Sequence, residues 1–158
     1  MRRTDREITD RQELLDVMAR CDVCRLALND ESGYPYVVPL NFGMEERDGT
    51  LYLLFHGAMT GTKYDRMERD SRATFEMDCG HQLMTAEQAC SYSCAYRSIM
   101  GSGTIRELTE PQEKYEALNA IMRHMTGRNW EMPEPAVARV SVFAIRAERW
   151  TGKRSPAN

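Results

Sequence analysis

No stretch of the 158 residues approaches the ~18 to 20 apolar residues that a membrane-spanning helix needs. Nor is there an excess of either charge: 21 basic and 24 acidic residues leave a formal charge of −3, too weak a field to gather phosphate backbones or anionic lipid. Neither a nucleic-acid nor a membrane partner is expected. Histidine is scarce, with only His56, His81 and His124, and no Ser/His/Asp or Cys/His order stands out, so no catalytic nucleophile is assigned. The opening MRRTDREITDRQELL holds no apolar run of the ~7 to 15 residues that a secretory signal uses, and the expected compartment is the cytoplasm. There the five cysteines, an odd number, read as free thiols rather than a disulfide framework. Cys21 and Cys24 have the spacing of half a zinc site, but Cys90 and Cys94 do not complete it and no histidine lies near, so no metal is expected.

What is present suits one folded domain spanning residues 1–158. A 42% hydrophobic content excludes a disordered chain, and the length is too short for a cofactor domain plus a separate substrate domain. Residues 1–9 and 154–158 are polar and read as flexible ends. Asp10 with Glu13 resembles a capping box for a helix over about 10–20. Val23 to Leu28 reads as a strand, Asn29 to Gly33 as a turn, and Tyr36 to Met44 as a second strand interrupted by Pro39. Thr50 to Phe55 is an apolar strand stopping at His56-Gly57, the third of an expected meander. A short helix over Thr60–Asp70, with Tyr64 and Met67 inward, precedes extended structure over Arg72–Met84. Ala95–Leu108 reads as a long strand whose Gly101 and Gly103 mark a bulge or a close backbone approach. Glu110-Pro111 opens a helix ending at Gly127, with Tyr115, Leu118, Met122 and Met125 on one face, and Val137–Ile145 starts a last strand towards Trp150. About six strands with few helices between them predict a mainly β fold, an antiparallel barrel with peripheral helices.

Three segments carry chemistry. In His56-Gly57-Ala58-Met59-Thr60-Gly61-Thr62-Lys63 a strand ends and a helix begins, so glycines, hydroxyls, orphan helix-start amides and a lysine converge as a phosphate cradle would require. The spacing is not the Walker pattern, and a plain loop with a Thr cap and an exposed lysine explains the same residues. In Val38-Pro39-Leu40-Asn41-Phe42-Gly43, proline and asparagine break a strand-like run. That leaves backbone groups free for the polar edge of a planar heterocycle, or marks an ordinary edge-strand irregularity. Trp150, with Lys153 and Arg154 behind it, would either stack on a ligand or close a barrel end.

The order "CDVCRLALND..GYPYVVPLNFG", "LYLLFHGAMTGTKYDRM", "YRSIMGSGTI" and "VARVSVFAIRAERWTGKR" resembles the FMN-binding split-barrel superfamily related to pyridoxamine 5′-phosphate oxidase, and within it the Nim 5-nitroimidazole resistance family. The resemblance runs from about residue 3 to 154. It implies a six-stranded split barrel forming a homodimer, with one FMN in each of two clefts between subunits. Val38, Pro39, Leu40, Asn41 and Phe42 would run along the isoalloxazine, with backbone and Asn41 groups meeting its polar edge, and His56, Gly57, Ala58, Thr62 and Lys63 would hold the ribityl phosphate. From the second chain, Tyr96, Arg97, Ser98 and Trp150 would complete the pocket. The implied function is an FMN-dependent oxidoreductase passing electrons from a nicotinamide or other donor to a small acceptor such as a nitroaromatic. A flavin or haem carrier or sensor using the same cleft is the alternative, with His56 as phosphate donor, proton donor or axial haem ligand. One departure stands out: the B6-metabolic oxidases carry Arg-x-His after the tryptophan, whereas here Trp150 is followed by Thr151-Gly152-Lys153-Arg154, so oxidation of pyridoxamine 5′-phosphate is not implied.

Overall fold

A computed structural model describes residues 3–155. Its elements are β1 (Glu7–Ile8), α1 (Arg11–Ala19), β2 (Cys24–Leu28), β3 (Tyr36–Leu40), β4 (Gly43–Arg47), β5 (Thr50–Gly57), α2 (Thr62–Arg69), β6 (Arg72–Met84), β7 (Ser93–Leu108), α3 (Pro111–Thr126), α4 (Glu134–Ala138) and β8 (Ser141–Ser155). All pairings are antiparallel, in the order β3-β2-β6-β7-β8-β5-β4, with β1 added to β8. The fold is mainly β, as expected, with eight strands where about six were read. No helix among the described residues is long and apolar enough to cross a membrane.

The two extra strands have distinct origins. The expected single strand Tyr36–Met44 is two, because the chain turns at Asn41-Phe42 and passes from one end of the sheet order to the other. In a flat sheet six strand spacings of about 4.8 Å would put β3 and β4 about 29 Å apart. Leu40 to Gly43 can span at most about 11 Å. The sheet must therefore curl until its edges meet, which makes it a barrel. β2–β3 and β4–β5 are hairpins, but β3 does not pair with β5, so the expected three-strand meander is not formed. The second extra strand, β1, lies within the segment read as a polar arm: Ile8, only 3% exposed, pairs with Gly152, and Glu7 with Lys153. Arg154 and Ser155 likewise continue β8; of the expected flexible ends, residues 1–2 and 156–158 lie outside the described residues.

Side-chain alternation sorts β5 and β8 between two cores. Leu51, Leu53, Phe55, Phe143 and Ile145 join Leu26, Phe75, Met77 and α1 residues Val17 and Met18 in the main core. Leu54, Val142 and Ala144 face outward and are covered by Ala117, Ala120 and Ile121 of α3. Both helix starts follow their local signals: the Asp10 side chain accepts from the Glu13 amide at 2.7 Å, and Pro111 opens α3, which Gly127 ends at φ 77°.

The buried face of α3 differs from the expected one: Ala117, Asn119, Ala120 and Ile121 are buried, while Met125 is exposed and Tyr115, Leu118 and Met122 are half-buried. The reason lies in β4. A Cβ at Gly43 would stand 2.6 Å from the Ala120 carbonyl carbon and the Ile121 nitrogen, so α3 rests on backbone and its small side chains are the ones that fit there. The last strand starts at Ser141 rather than Val137, because Pro133 and Pro135 set the first turn of α4 instead. Gly101 and Gly103 meet both expectations. The β7–β8 register shifts between Ser102 and Gly103, and a Cβ at Gly101 would meet Phe75 and the Arg149 carbonyl.

Candidate functional site

β5 ends two residues beyond the fully buried Phe55, with His56 and Gly57 less buried and paired with Val142 and Ser141 of β8. The chain then turns through Gly61, whose φ of 113° is open to glycine and strained for other residues, and enters α2 at Thr62. The helix is therefore shorter at its start than the expected Thr60–Asp70. Its first helical hydrogen bond runs from the Asp65 amide to the Gly61 carbonyl at 3.0 Å, so the preceding first-turn amides have no helical acceptor. Lys63 folds back over Gly57, where a Cβ would overlap its ammonium. The Nζ lies 3.4 Å from the His56 carbonyl and 5.2 Å from the centre of the Phe143 ring.

Among the described residues Lys63 has no carboxylate partner, though it is half-buried. Burial holds its pKa below the ordinary lysine value. Burial, followed by the charge of Lys63, likewise lowers that of the His56 imidazole. The arrangement is one that an anion would complete, joining the cation and the orphan amides. Lys63 thus meets the His56 carbonyl and Gly57, with Thr62 opening α2 next to it and Ala58 in the exposed connection to α2.

A pH dependence follows for the apo chain. Because the folded state disfavours the charged imidazole, the unfolded chain binds a proton near the usual histidine pKa that the folded chain does not yet accept. The stability contributed by neutral His56 is present above that value and is lost as pH falls towards the lowered folded value. In denaturant titrations from pH 7.5 to 5, His56→Gln is expected to decline less steeply than the parent; identical slopes would contradict it.

The segment at the barrel closure divides its roles. β3 is an edge strand paired only with β2, so Pro39 costs no inter-strand hydrogen bond on its open side, and alternate backbone groups there are free. Val38 and Leu40 are half-buried against the main core, while Pro39 points outward. Asn41 donates from Nδ2 to the Asp22 carbonyl at 3.0 Å. The Phe42 side chain is fully buried, 4.3 Å from the His124 ring, so it belongs to the core and is closed to any ligand. Of Phe42, the backbone alone is left for the contact that the resemblance implies.

Tyr96, Arg97 and Ser98 on β7 pair with Ser155, Arg154 and Lys153 on β8. Lys153 lies 6.0 Å from the Tyr96 ring, and Trp150 packs on the core beneath Arg11 at 5.2 Å. These residues gather at one end of β8. Gly57 pairs at the other end with Ser141, nine residues or roughly 30 Å of strand from Trp150. One chain does not bring the two groups together.

The remaining histidines and the first two cysteines lie outside the segment from His56 to Lys63. His124 Nε2 lies 2.8 Å from the Cys21 carbonyl, tying α3 to the end of α1, and His81 pairs with Asp78 at 2.8 Å. Cys21 and Cys24 are buried thiols; burial pushes Cys21 up and Cys24 up to about 12. A tie that sequence reading missed joins the cradle to the barrel. The Tyr64 hydroxyl donates to Glu107 Oε2 at 3.1 Å, and the Ser141 hydroxyl to Glu107 Oε1 at 2.9 Å.

The pyridoxamine 5′-phosphate oxidase family model matches residues 10–154. No curated protein matches the chain. A solved structure of a candidate 5-nitroimidazole antibiotic resistance protein from Bacteroides thetaiotaomicron is 34% identical, with a TM-score of 0.81, covering 94% of this chain and 86% of that one. An FAD and heme binding protein from Mycobacterium smegmatis is similar in fold at 21% identity and a TM-score of 0.81, covering 96% of this chain and 74% of that one. The flavocytochrome Anf3 from Azotobacter vinelandii is 17% identical with a TM-score of 0.79, covering 99% and 72%. The match over nearly the whole chain, together with the curled antiparallel sheet, shows that this chain belongs to the pyridoxamine 5′-phosphate oxidase family and has its split-barrel fold.

Proposed function

We propose that the chain is a cytoplasmic FMN-dependent oxidoreductase acting as a homodimer, which takes electrons from a nicotinamide or other donor and passes them to a small acceptor such as a nitroaromatic. The observation that carries the reading is the half-buried Lys63 ammonium, without a carboxylate partner, beside the open first turn of α2. The residues fit a ribityl phosphate: Gly57 leaves the space that the ammonium uses, and the Thr62 hydroxyl and first-turn amides are donors. FMN, when bound, supplies the electron and hydride chemistry. The chain's part is to bind and orient it. Lys63, His56, Gly57, Ala58 and Thr62 would hold the phosphate, and the free backbone groups among Val38, Pro39, Leu40, Asn41 and Phe42 would meet the polar edge of the ring. Tyr96, Arg97 and Ser98 on β7 and Trp150 on β8 stand towards the other end of β8 from the Gly57 pairing. A second copy would bring them, giving two clefts per dimer. The 34% identity to a candidate nitroimidazole resistance protein supports a nitroaromatic acceptor.

A flavin or haem carrier is the second reading, favoured by His56, an exposed imidazole close enough to Lys63 to feel its charge and held towards its neutral, ligating form. Substituting His56→Ala separates the roles. Unchanged FMN affinity with lost reduction of a nitroaromatic by NADH assigns it to chemistry, and weakened FMN affinity assigns it to the phosphate. Loss of a haem spectrum with FMN binding intact assigns it to iron. Parent protein that binds FMN but reduces no acceptor with any nicotinamide donor would leave the carrier reading standing.

A further inference from the structure

The carboxylate of Glu107 occupies an unusual place. It stands on β7 opposite Phe143 of β8, the ring over which the Lys63 ammonium lies. One oxygen accepts from Tyr64, the residue after Lys63 in the first turn of α2, and the other accepts from Ser141, the ladder partner of Gly57. Ser141 is 2% exposed, so its hydroxyl would lose its acceptor without Glu107. One side chain thus bridges the two halves of the cradle, the helix start and the end of β5. The later half of α2 is held separately, by Arg66 against Asp30 and over the Tyr36 ring at 5.1 Å. A cleft of about 140 Å³ lined by Met67, Ile105 and Phe143 lies beside the bridge; Met67 packs α2 on the main core, and Glu107 ties the turn before it. The hydrogen bond to Glu107, with burial next, raises the Tyr64 phenol to about 12, so the donor keeps its proton through the neutral range.

We propose that Glu107 is a positioning residue for the cradle: by joining Tyr64 to Ser141 it sets where the first turn of α2 and Lys63 stand relative to Gly57, and so sets affinity for a phosphate group. This inference rests on the phosphate reading of the cradle, and two separable measurements test it. The first is binding of FMN and of riboflavin, which lacks the phosphate, followed by fluorescence quenching on the full chain. Glu107→Ala is expected to weaken FMN about tenfold and leave riboflavin unchanged. Glu107→Gln, which keeps one acceptor oxygen, is expected to fall between it and the parent. Tyr64→Phe combined with Glu107→Ala is expected to be no worse than Glu107→Ala alone, since both remove the same bond. An equal loss for FMN and riboflavin would mean general loosening and would overturn the proposal. The second measurement is amide hydrogen exchange over residues 62–69 in the flavin-free chain, which does not depend on what the site binds. Faster exchange in Glu107→Ala at the start of α2 is expected. Unchanged exchange would overturn the proposal, even if the parent bound no flavin and the phosphate reading itself had failed.

Discussion

Replacing Lys63 by alanine is expected to weaken FMN binding by about 1.5 to 3 kcal/mol, roughly ten- to a hundredfold, without lowering the stability of the flavin-free chain. The two halves of this result have one cause. Among the described residues Lys63 is a half-buried ammonium with no carboxylate beside it, and its one polar contact is a long one to the His56 carbonyl. Burial already disfavours its charged form. Part of the desolvation that phosphate binding requires is therefore met in the folded apo chain, which strengthens the contact when an anion arrives. The same unfavourable placement means that alanine removes a strained charge, so the melting temperature should hold or rise. Titration of both proteins with FMN and with riboflavin, alongside their thermal unfolding, checks both halves. Equal FMN affinity in the variant would mean that the cradle is misplaced, and a large drop in melting temperature would mean that Lys63 is chiefly structural.

Phe42→Ala is expected to act in the opposite way, lowering stability by about 3 to 5 kcal/mol in denaturant unfolding. Phe42 sits where the chain steps from β3 to β4, the point at which the barrel closes. Its ring is fully buried, 4.3 Å from His124 and 6.4 Å from Phe55. Removing it opens a cavity that the surrounding strands cannot collapse into, because both edges of the sheet are anchored there. A variant of unchanged stability and weakened flavin affinity would instead return Phe42 to the cofactor and contradict the core assignment. Together the two substitutions separate residues that touch the ligand from residues that hold the barrel.

How much of this was legible in the sequence depended on distance along the chain. Asp10 with Glu13, Pro111 with Gly127, and the glycines of β7 act on neighbours a few residues away, and the structure follows them closely. The strand end and helix start proposed to hold a phosphate were legible for the same reason, since Gly57 to Lys63 is one short segment. What was not legible involves partners remote in sequence. Nothing local shows that Asn41-Phe42 carries the chain from one barrel edge to the other, because the cause is closure of the whole sheet. The large apolar residues of α3 gave a clear stripe, yet the buried face holds Ala117 and Ala120, because Gly43 far upstream brings backbone against the helix. β1 spans two residues and has no period to read. The Tyr64–Glu107 bond joins residues 43 positions apart and left no local sign. The resemblance to the split-barrel family agreed with the antiparallel barrel that the local signals gave, and it implied backbone contacts for the Phe42 segment without showing that the Phe42 ring belongs to the core.

The central claim is that one chain supplies the phosphate cradle while a second copy supplies the opposite wall, so that flavin belongs to a dimer. Sedimentation velocity of FMN-saturated protein, followed in the visible absorption band of the flavin, tests it most directly. The expected result is a single flavin-bearing boundary at the mass of two chains, with one flavin per chain. Visible absorbance that stays with the free ligand, or that moves with a single chain, would contradict it.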